Sequence, residues 1–267
     1  MIKIIFSDMD GTLLTSENTL PDGFDEIITE LKKRGVIFAP ASGRQYFSLL
    51  NTFIKYEDDF IFVADGGTIV FRHGQEMFSQ PMDKKIALEV IHAGDGMDNI
   101  LRVYCGKNDA YVLDFQNTPA YHAELLKYYS HTIAVKSWDE VEDVPIKMSF
   151  FDETGNAAKN IYPYFEHFND RTQVLLSSDY WVDIMMPNVD KGSAVRKIQQ
   201  ILDIKPDECA AFGDFMNDYE MFKSVGYSFA MANAHPELKK VAKFETVSND
   251  DGGVIVGIKR LMKMGVI

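Results

Sequence analysis

FSDMDGTLLTSE, residues 6–17, continues a short apolar run, Ile4-Ile5-Phe6, and sets Asp8 and Asp10 two positions apart just ahead of Gly11-Thr12. Residues two apart on an extended chain share a face, so both carboxylates can approach one site. Gly11 lets the backbone turn sharply just past them. The apolar run reads as a buried strand, and a strand that needs only a polar stop has no use for two carboxylates in one short turn. Two readings stand at this point: an acidic turn on a solvated edge, or a metal site with a nucleophile in it.

Outward from this stretch, apolar segments at residues 3–6, 36–41, 60–64, 208–212 and 227–230 read as short strands. Their near-continuous hydrophobicity suits a parallel sheet covered on both faces. Between them lie amphipathic helices. Residues 21–34 put Phe24, Ile27, Ile28 and Leu31 on one stripe closed by Gly35, and residues 191–202 do the same with Ala194, Val195, Ile198, Ile201 and Leu202. The alternation predicts an α/β fold, a doubly wound parallel sheet.

The middle of the chain has another rhythm. Helices are expected at 84–92, 120–129 and 156–168, and strands near 101–105, 111–115, 147–151, 174–176 and 181–185. Strand pairs separated by turns make this an α+β block with an antiparallel sheet. The sheet-and-helix rhythm resumes at Lys191. The expected organisation is therefore a core of residues 1–82 and 188–267 interrupted by an inserted domain, residues 83–187.

In an open parallel sheet, ligands bind beyond the carboxyl ends of the strands. Asp8-Met9-Asp10-Gly11 is one such end. Ala41-Ser42-Gly43-Arg44 is a second, where a hydroxyl and exposed N–H groups can grip an anionic oxygen or simply cap a helix. Asp190-Lys191-Gly192 opens a helix with a lysine that is either solvated or a fixed charge for a phosphoryl group. Gly213-Asp214-Phe215-Met216-Asn217-Asp218 presents three polar side chains in five residues, with Asp214 placed as a hard-metal ligand and Asn217 or Asp218 close behind. Each has a bland explanation alone; four of them in one order do not.

The motifs DMDGTLL from Asp8, ASGR from Ala41, DKGSAV from Asp190 and GDFMNDYEMF from Gly213 resemble those of the haloacid dehalogenase superfamily. The position of the insertion resembles the Cof-type phosphatase branch, whose Rossmann-like core carries a large cap between the second and third motifs. The resemblance implies Asp8 as the nucleophile that forms an aspartyl-phosphate, and Asp10 as general acid and base whose backbone carbonyl also touches the metal. It implies Ser42, Gly43 and Lys191 as holders of the phosphoryl oxygens, with Asn217 near the phosphate. Asp214 would complete the Mg²⁺ ligands with Asp218 in support. Arg44 either acts or only braces its loop. Asp65 stands in Ala64-Asp65-Gly66-Gly67 where many relatives have an Asn-Gly-Ala turn, Gln45 where many have Pro, and one Gly of Gly252-Gly253 where Val is usual.

The chemistry asks for such residues. A phosphate monoester is a dianion that repels an attacking carboxylate, and a divalent cation with a lysine opposite removes that penalty. Mg²⁺ prefers oxygen ligands and keeps several waters, and the choice between Mg²⁺ and Mn²⁺ in the cell is left open. The six histidines have no metal-ligand spacing.

Composition agrees. The chain has 267 residues, enough for a sizeable core, and a formal charge of −13, which argues against nucleic acid or anionic membrane as partners. Cys105 and Cys209 are far apart and unpatterned, which suits a reducing compartment. A strand from residue 3 leaves no room for a signal peptide before it, so the expected location is cytoplasmic. The expected function is a Mg²⁺-dependent phosphatase of small phosphate monoesters, sugar phosphates foremost. The alternatives are a phosphomutase on the same scaffold or a non-catalytic phosphate sensor. The oligomeric state is left open. Nine cap aromatics (Tyr104, Tyr111, Phe115, Tyr121, Tyr128, Tyr129, Trp138, Tyr180 and Trp181) are candidates for lining a pocket, although aromatics at such spacings are usually core.

Overall fold

A computed structural model describes residues 1–97 and 99–267. The first part of the chain runs β1 (Ile4–Ser7), α1 (Phe24–Lys33), β2 (Ile37–Pro40), α2 (Tyr46–Phe53), β3 (Ile61–Ala64), β4 (Ile69–Arg72) and β5 (Gln75–Ser79). The middle runs α3 (Lys84–Ala93), β6 (Ile100–Gly106), β7 (Ala110–Leu113), α4 (Pro119–Leu125), β8 (Thr132–Val135), β9 (Pro145–Asp152), α5 (Ala157–Asn160), α6 (Tyr162–Phe165), β10 (Gln173–Leu176) and β11 (Trp181–Met185). The last part runs α7 (Lys191–Leu202), β12 (Cys209–Gly213), α8 (Tyr219–Lys223), β13 (Tyr227–Ala230), α9 (Pro236–Val241), β14 (Phe244–Glu245) and α10 (Gly253–Lys263).

The first and last parts share a parallel sheet in the order β14-β13-β12-β1-β2. Its central strands are wholly buried between helices, as their unbroken apolar runs require. The third expected strand departs from this sheet. β3 pairs antiparallel with β4, and β4 with β5; the isolated parallel bridge Ala41–Val63, with the Ser42 N–H on the Val63 carbonyl (2.9 Å), ties β3 to the end of β2. The α1 stripe is buried as expected, but the helix begins at Phe24, because Gly23 before it is left-handed (φ 83°). On α7, Ala194, Val195 and Ile198 are buried whereas Ile201 is exposed, lying at the edge of the stripe.

The middle part folds around a second sheet, β10-β11-β9-β6-β7-β8. It is not purely antiparallel: β7 and β8 are parallel, with α4 in the crossover between them. The helix expected over 156–168 is broken into α5, α6 and a further short turn, because Pro163 supplies no N–H to continue the helical ladder. Alternation along the strands sorts the two faces. Met148, Phe150, Val182 and Ile184 join a core with Val90, Ile91 and Phe165, while Lys147, Ser149 and Asp183 point to the opposite face. That face looks toward the ends of the parallel strands, where Lys147 reaches Gly43. No helix among the described residues is long and apolar enough to cross a membrane.

Candidate active site

Asp8 and Asp214 come together because β1 and β12 are adjacent and in register, Ser7 opposite Phe212, with the ladder continued by the Asp8 N–H donating to the Phe212 carbonyl (3.0 Å). Past Asp8 the chain turns back at once, closed by the Leu14 N–H on the Met9 carbonyl (2.9 Å). Gly11 sits in this turn at φ 77°, and a Cβ there would collide with the Asp214 carboxylate. Glycine is therefore required twice over, by conformation and by space. The turn delivers the Thr12 hydroxyl to Asp214 Oδ1 (2.8 Å).

Lys191 is the first residue of α7, set by a reciprocal cap in which Asp190 accepts from the Ser193 N–H (2.6 Å) and Ser193 Oγ accepts from the Asp190 N–H (2.9 Å). Its side chain is 1% exposed and donates to Asp8 Oδ1 (2.5 Å) and Asp218 Oδ1 (2.6 Å). Asp218 Oδ2 in turn accepts from the Asp214 N–H (3.1 Å) and the Phe215 N–H (3.4 Å). Both Asp218 oxygens are thus engaged, and the residue braces Lys191 and the Asp214 loop.

One oxygen each from Asp8, Asp214 and Asp218 lies within 4.8 Å of the others. Burial, then Asp8 and Asp218, push the Asp214 pKa far above the usual carboxylate range. Burial also raises Asp218, to about 6, against the opposing pull of Lys191. Burial acts to lower the Lys191 pKa, but Asp218 and Asp8 outweigh it. Three carboxylates thus share one ammonium, and the cluster is short of positive charge. An all-oxygen donor set of this kind fits a hard divalent cation.

Ser42, Gly43 and Asn217 line a cavity of about 220 Å3 together with Asp8, Asp10 and Asp214. Ser42 Oγ accepts from the Arg44 N–H (3.1 Å), which leaves its own proton available to a ligand. Asn217 Oδ1 is buried without a hydrogen-bond partner among the described residues. The Asp10 carboxylate lies apart from the acidic cluster. Arg44 forks it, Nε to Oδ2 (3.0 Å) and Nη2 to Oδ1 (2.5 Å), and Nη2 also reaches Asn18 (3.3 Å). Arg44 therefore does more than brace its own loop.

The middle part of the chain supplies most of the remaining wall, Tyr128, Tyr129, Lys147, Ser177, Asp183 and their neighbours, with Phe215 from the core. Of the nine candidate aromatics, Tyr128, Tyr129, Tyr180 and Trp181 line the cavity. Tyr104 and Trp138 are core of the inserted sheet, and Phe115 is exposed. Sequence reading passed over Lys147 and Asp183, which do line it. The signal was present: a lysine and a serine within the wholly buried strand PIKMSFFD. Asp65 does not line the cavity. It is buried beneath, 3.9 Å from Lys147, in the left-handed region (φ 49°), and burial pushes its pKa up to about 7.

Residues 5–258 match the family of haloacid dehalogenase-like hydrolases. The chain is 30% identical to the 5-amino-6-(5-phospho-D-ribitylamino)uracil phosphatase YbjI of Escherichia coli, over 98% of this chain and 97% of that one. Among solved structures, the SMU.1108c protein of Streptococcus mutans superposes with a TM-score of 0.90 at 24% identity, covering 98% of this chain and 100% of the other. The subclass IIB sugar phosphatase BT4131 superposes with a TM-score of 0.84 at 18% identity, covering 99% and 100%. With the ordered motifs, the parallel core and the second sheet above its strand ends, these likenesses agree: the chain belongs to the haloacid dehalogenase-like hydrolases and is a phosphatase of that family.

Proposed function

We propose that the protein hydrolyses small phosphate monoesters, sugar phosphates foremost, with Mg²⁺ as cofactor and an aspartyl-phosphate on Asp8 as the intermediate. Residues 83–187 serve as a cap on a core of residues 1–82 and 188–267. The observation that carries the reading is the 2.5 Å contact of Lys191 Nζ with Asp8 Oδ1 beside the Asp8–Asp214–Asp218 cluster.

On this reading the Asp8 carboxylate attacks phosphorus and the ester P–O bond breaks. Asp10 gives its proton to the departing alkoxide. Water then attacks the same phosphorus, Asp10 takes the water's proton, and Asp8 is released as carboxylate with inorganic phosphate. Lys191 and the Ser42 hydroxyl hold phosphoryl oxygens, with the Gly43 N–H and Asn217 alongside. Arg44 keeps Asp10 at the cavity edge. Asp8 and Asp214, with the Asp10 carbonyl, would hold Mg²⁺, supported by Asp218; bound there, the ion offsets the charge of the phosphoryl group.

The test is phosphate release from a panel of phosphate esters, with Mg²⁺ and with chelator, by wild type and Asp8→Asn. Release that requires both metal and Asp8 is expected. A folded, Mg²⁺-binding protein that frees no phosphate from any ester would sink the reading.

A further inference from the structure

The charged side chains lining the cavity are Asp8, Asp10, Asp179, Asp183, Asp214 and Lys147. They divide into two ends. At the floor, Asp8 faces Lys191, Asp10 is forked by Arg44, and Asp214 belongs to the cation-binding cluster. At the roof, where the alcohol half of an ester would lie, the groups are Asp179, Asp183 and Lys147.

Lys147 is already engaged with acceptors of the protein. Its ammonium, 2% exposed, donates to the Gly43 carbonyl (2.8 Å) and to Asp183 Oδ2 (3.4 Å), with Asp65 Oδ1 at 3.9 Å. The two nearest hydroxyls are also spent. Ser149 Oγ donates to Asp183 Oδ1 (2.5 Å) and Ser177 Oγ to Asp183 Oδ2 (2.6 Å). Asp183 faces Ser149 directly across the β9–β11 ladder, so the arrangement is fixed by strand register. Asp179, exposed in the turn between β10 and β11, adds a negative charge at the rim with no cationic partner among the described residues. The roof therefore carries two carboxylates against one committed ammonium.

Building on the phosphatase reading above, we propose that this roof makes the enzyme selective for monoesters whose leaving alcohol is uncharged or cationic, and that it rejects alcohols bearing a second phosphoryl or carboxylate group. A second anion would sit beside Asp179 and Asp183 with no cation to answer it. In a half-enclosed cavity, like charges several ångströms apart repel by about 1.4–2.7 kcal/mol, or roughly tenfold to a hundredfold in binding. An ammonium on the alcohol would meet attraction from the same two groups.

The experiment compares kcat/KM for phosphate release from one hexose 6-phosphate, the same sugar as its 1,6-bisphosphate, its oxidised form carrying a carboxylate, and its 2-amino analogue, at saturating Mg²⁺. The amino ester is expected to be turned over at least as well as the neutral one, and the two anionic ones at least about tenfold less well than the neutral one. In Asp179→Lys, a substitution at an exposed turn, the ratio of anionic to neutral kcat/KM is expected to rise about fivefold or more. Equal or better turnover of the bisphosphate or the carboxylate by wild type would overturn the selectivity while leaving the phosphatase reading intact. An Asp179→Lys ratio identical to wild type would overturn the role of the roof charges. No phosphate from any ester would remove the phosphatase reading and the selectivity with it.

Discussion

Lys147 Nζ, on β9 of the inserted sheet, donates to the carbonyl oxygen of Gly43 in the core at 2.8 Å. The peptide unit it holds is well connected. The N–H of that same unit, on Arg44, is taken by Ser42 Oγ, and the Arg44 side chain forks Asp10. One residue of the second sheet therefore reaches the Ser42 hydroxyl and the Asp10 carboxylate through a single peptide. A second seam contact lies nearby, where the Gln45 N–H donates to the Tyr128 carbonyl (3.0 Å), and the Tyr128 ring lies 5.8 Å from the Arg44 guanidinium.

Replacing Lys147 tests that seam. Lys147→Met removes the ammonium from between Asp65 and Asp183, both buried. Removing one partner from a buried charge group costs about 3–5 kcal/mol, because the other charge is left uncompensated. Urea unfolding should register a loss of that order. Adding Asp183→Asn should recover part of it, since the carboxylate that bonded the ammonium is then gone. A double variant no more stable than the single would refute the coupling.

Asp65 itself should make stability depend on pH in an unusual direction. Its folded pKa is raised to about 7, chiefly by burial, with Lys147 opposing and Asp183 assisting. The native state therefore holds a proton that the unfolded chain has released above its pKa of about 3.9. With more protons bound when folded than unfolded, this contribution to stability is full below about pH 4, declines as pH rises toward 7, and is absent above. Across that interval, at about 1.4 kcal/mol per pH unit, its upper bound is about 4 kcal/mol. An asparagine at this position is neutral throughout and tolerates the left-handed backbone. Asp65→Asn should thus gain stability over wild type as pH goes from 5 to 8, and a pH-independent difference in unfolding midpoints would count against the buried proton.

How far the sequence carries this depends on what each signal measures. Apolar runs such as those in β1, β12 and β13 are legible because full burial on both faces demands them. The residues at their ends are legible because the parallel strands put Asp8, Ser42 and Asp214 at one edge. Local pattern does not reveal partners. β3 is as apolar as β2, yet it turns away to pair with β4. Residues 156–168 keep a helical pattern, but one proline outweighs it. Lys147 contradicts its strand's pattern, and such a contradiction marks a buried polar network without naming the Gly43 and Asp183 it serves.

Gly11 offers a cleaner perturbation of the floor. Gly11→Ala introduces a methyl group against the Asp214 carboxylate and strains a backbone at φ 77° by about 1–2 kcal/mol. The cost to overall stability should be modest, since the turn lies at the edge of the cavity, but displacing Asp214 acts on the acidic cluster directly. The expected result is a normal circular dichroism spectrum with phosphate release reduced at least about a hundredfold, in line with the effect of small misplacements at reacting centres. Activity within a few-fold of wild type would mean that the turn yields and that the Gly11–Asp214 contact is not needed.

The assignment of separate roles to Asp8 and Asp10 has a kinetic signature. Asp10→Asn removes the proton donor of the first step and the acceptor of the second, each worth about a hundred- to ten-thousand-fold. A nitrophenyl ester has a leaving group stable enough to depart with little protonation, so its first step is spared while the attack of water is not. With that ester, Asp10→Asn should release about one nitrophenol per enzyme in a burst and then turn over slowly, because the aspartyl-phosphate accumulates on Asp8. Asp8→Asn should give no burst, since an amide cannot form the intermediate. A burst that persists in Asp8→Asn would place the nucleophile elsewhere, and an Asp10→Asn enzyme slowed equally on nitrophenyl and alkyl esters with no burst would deny Asp10 its part in activating water.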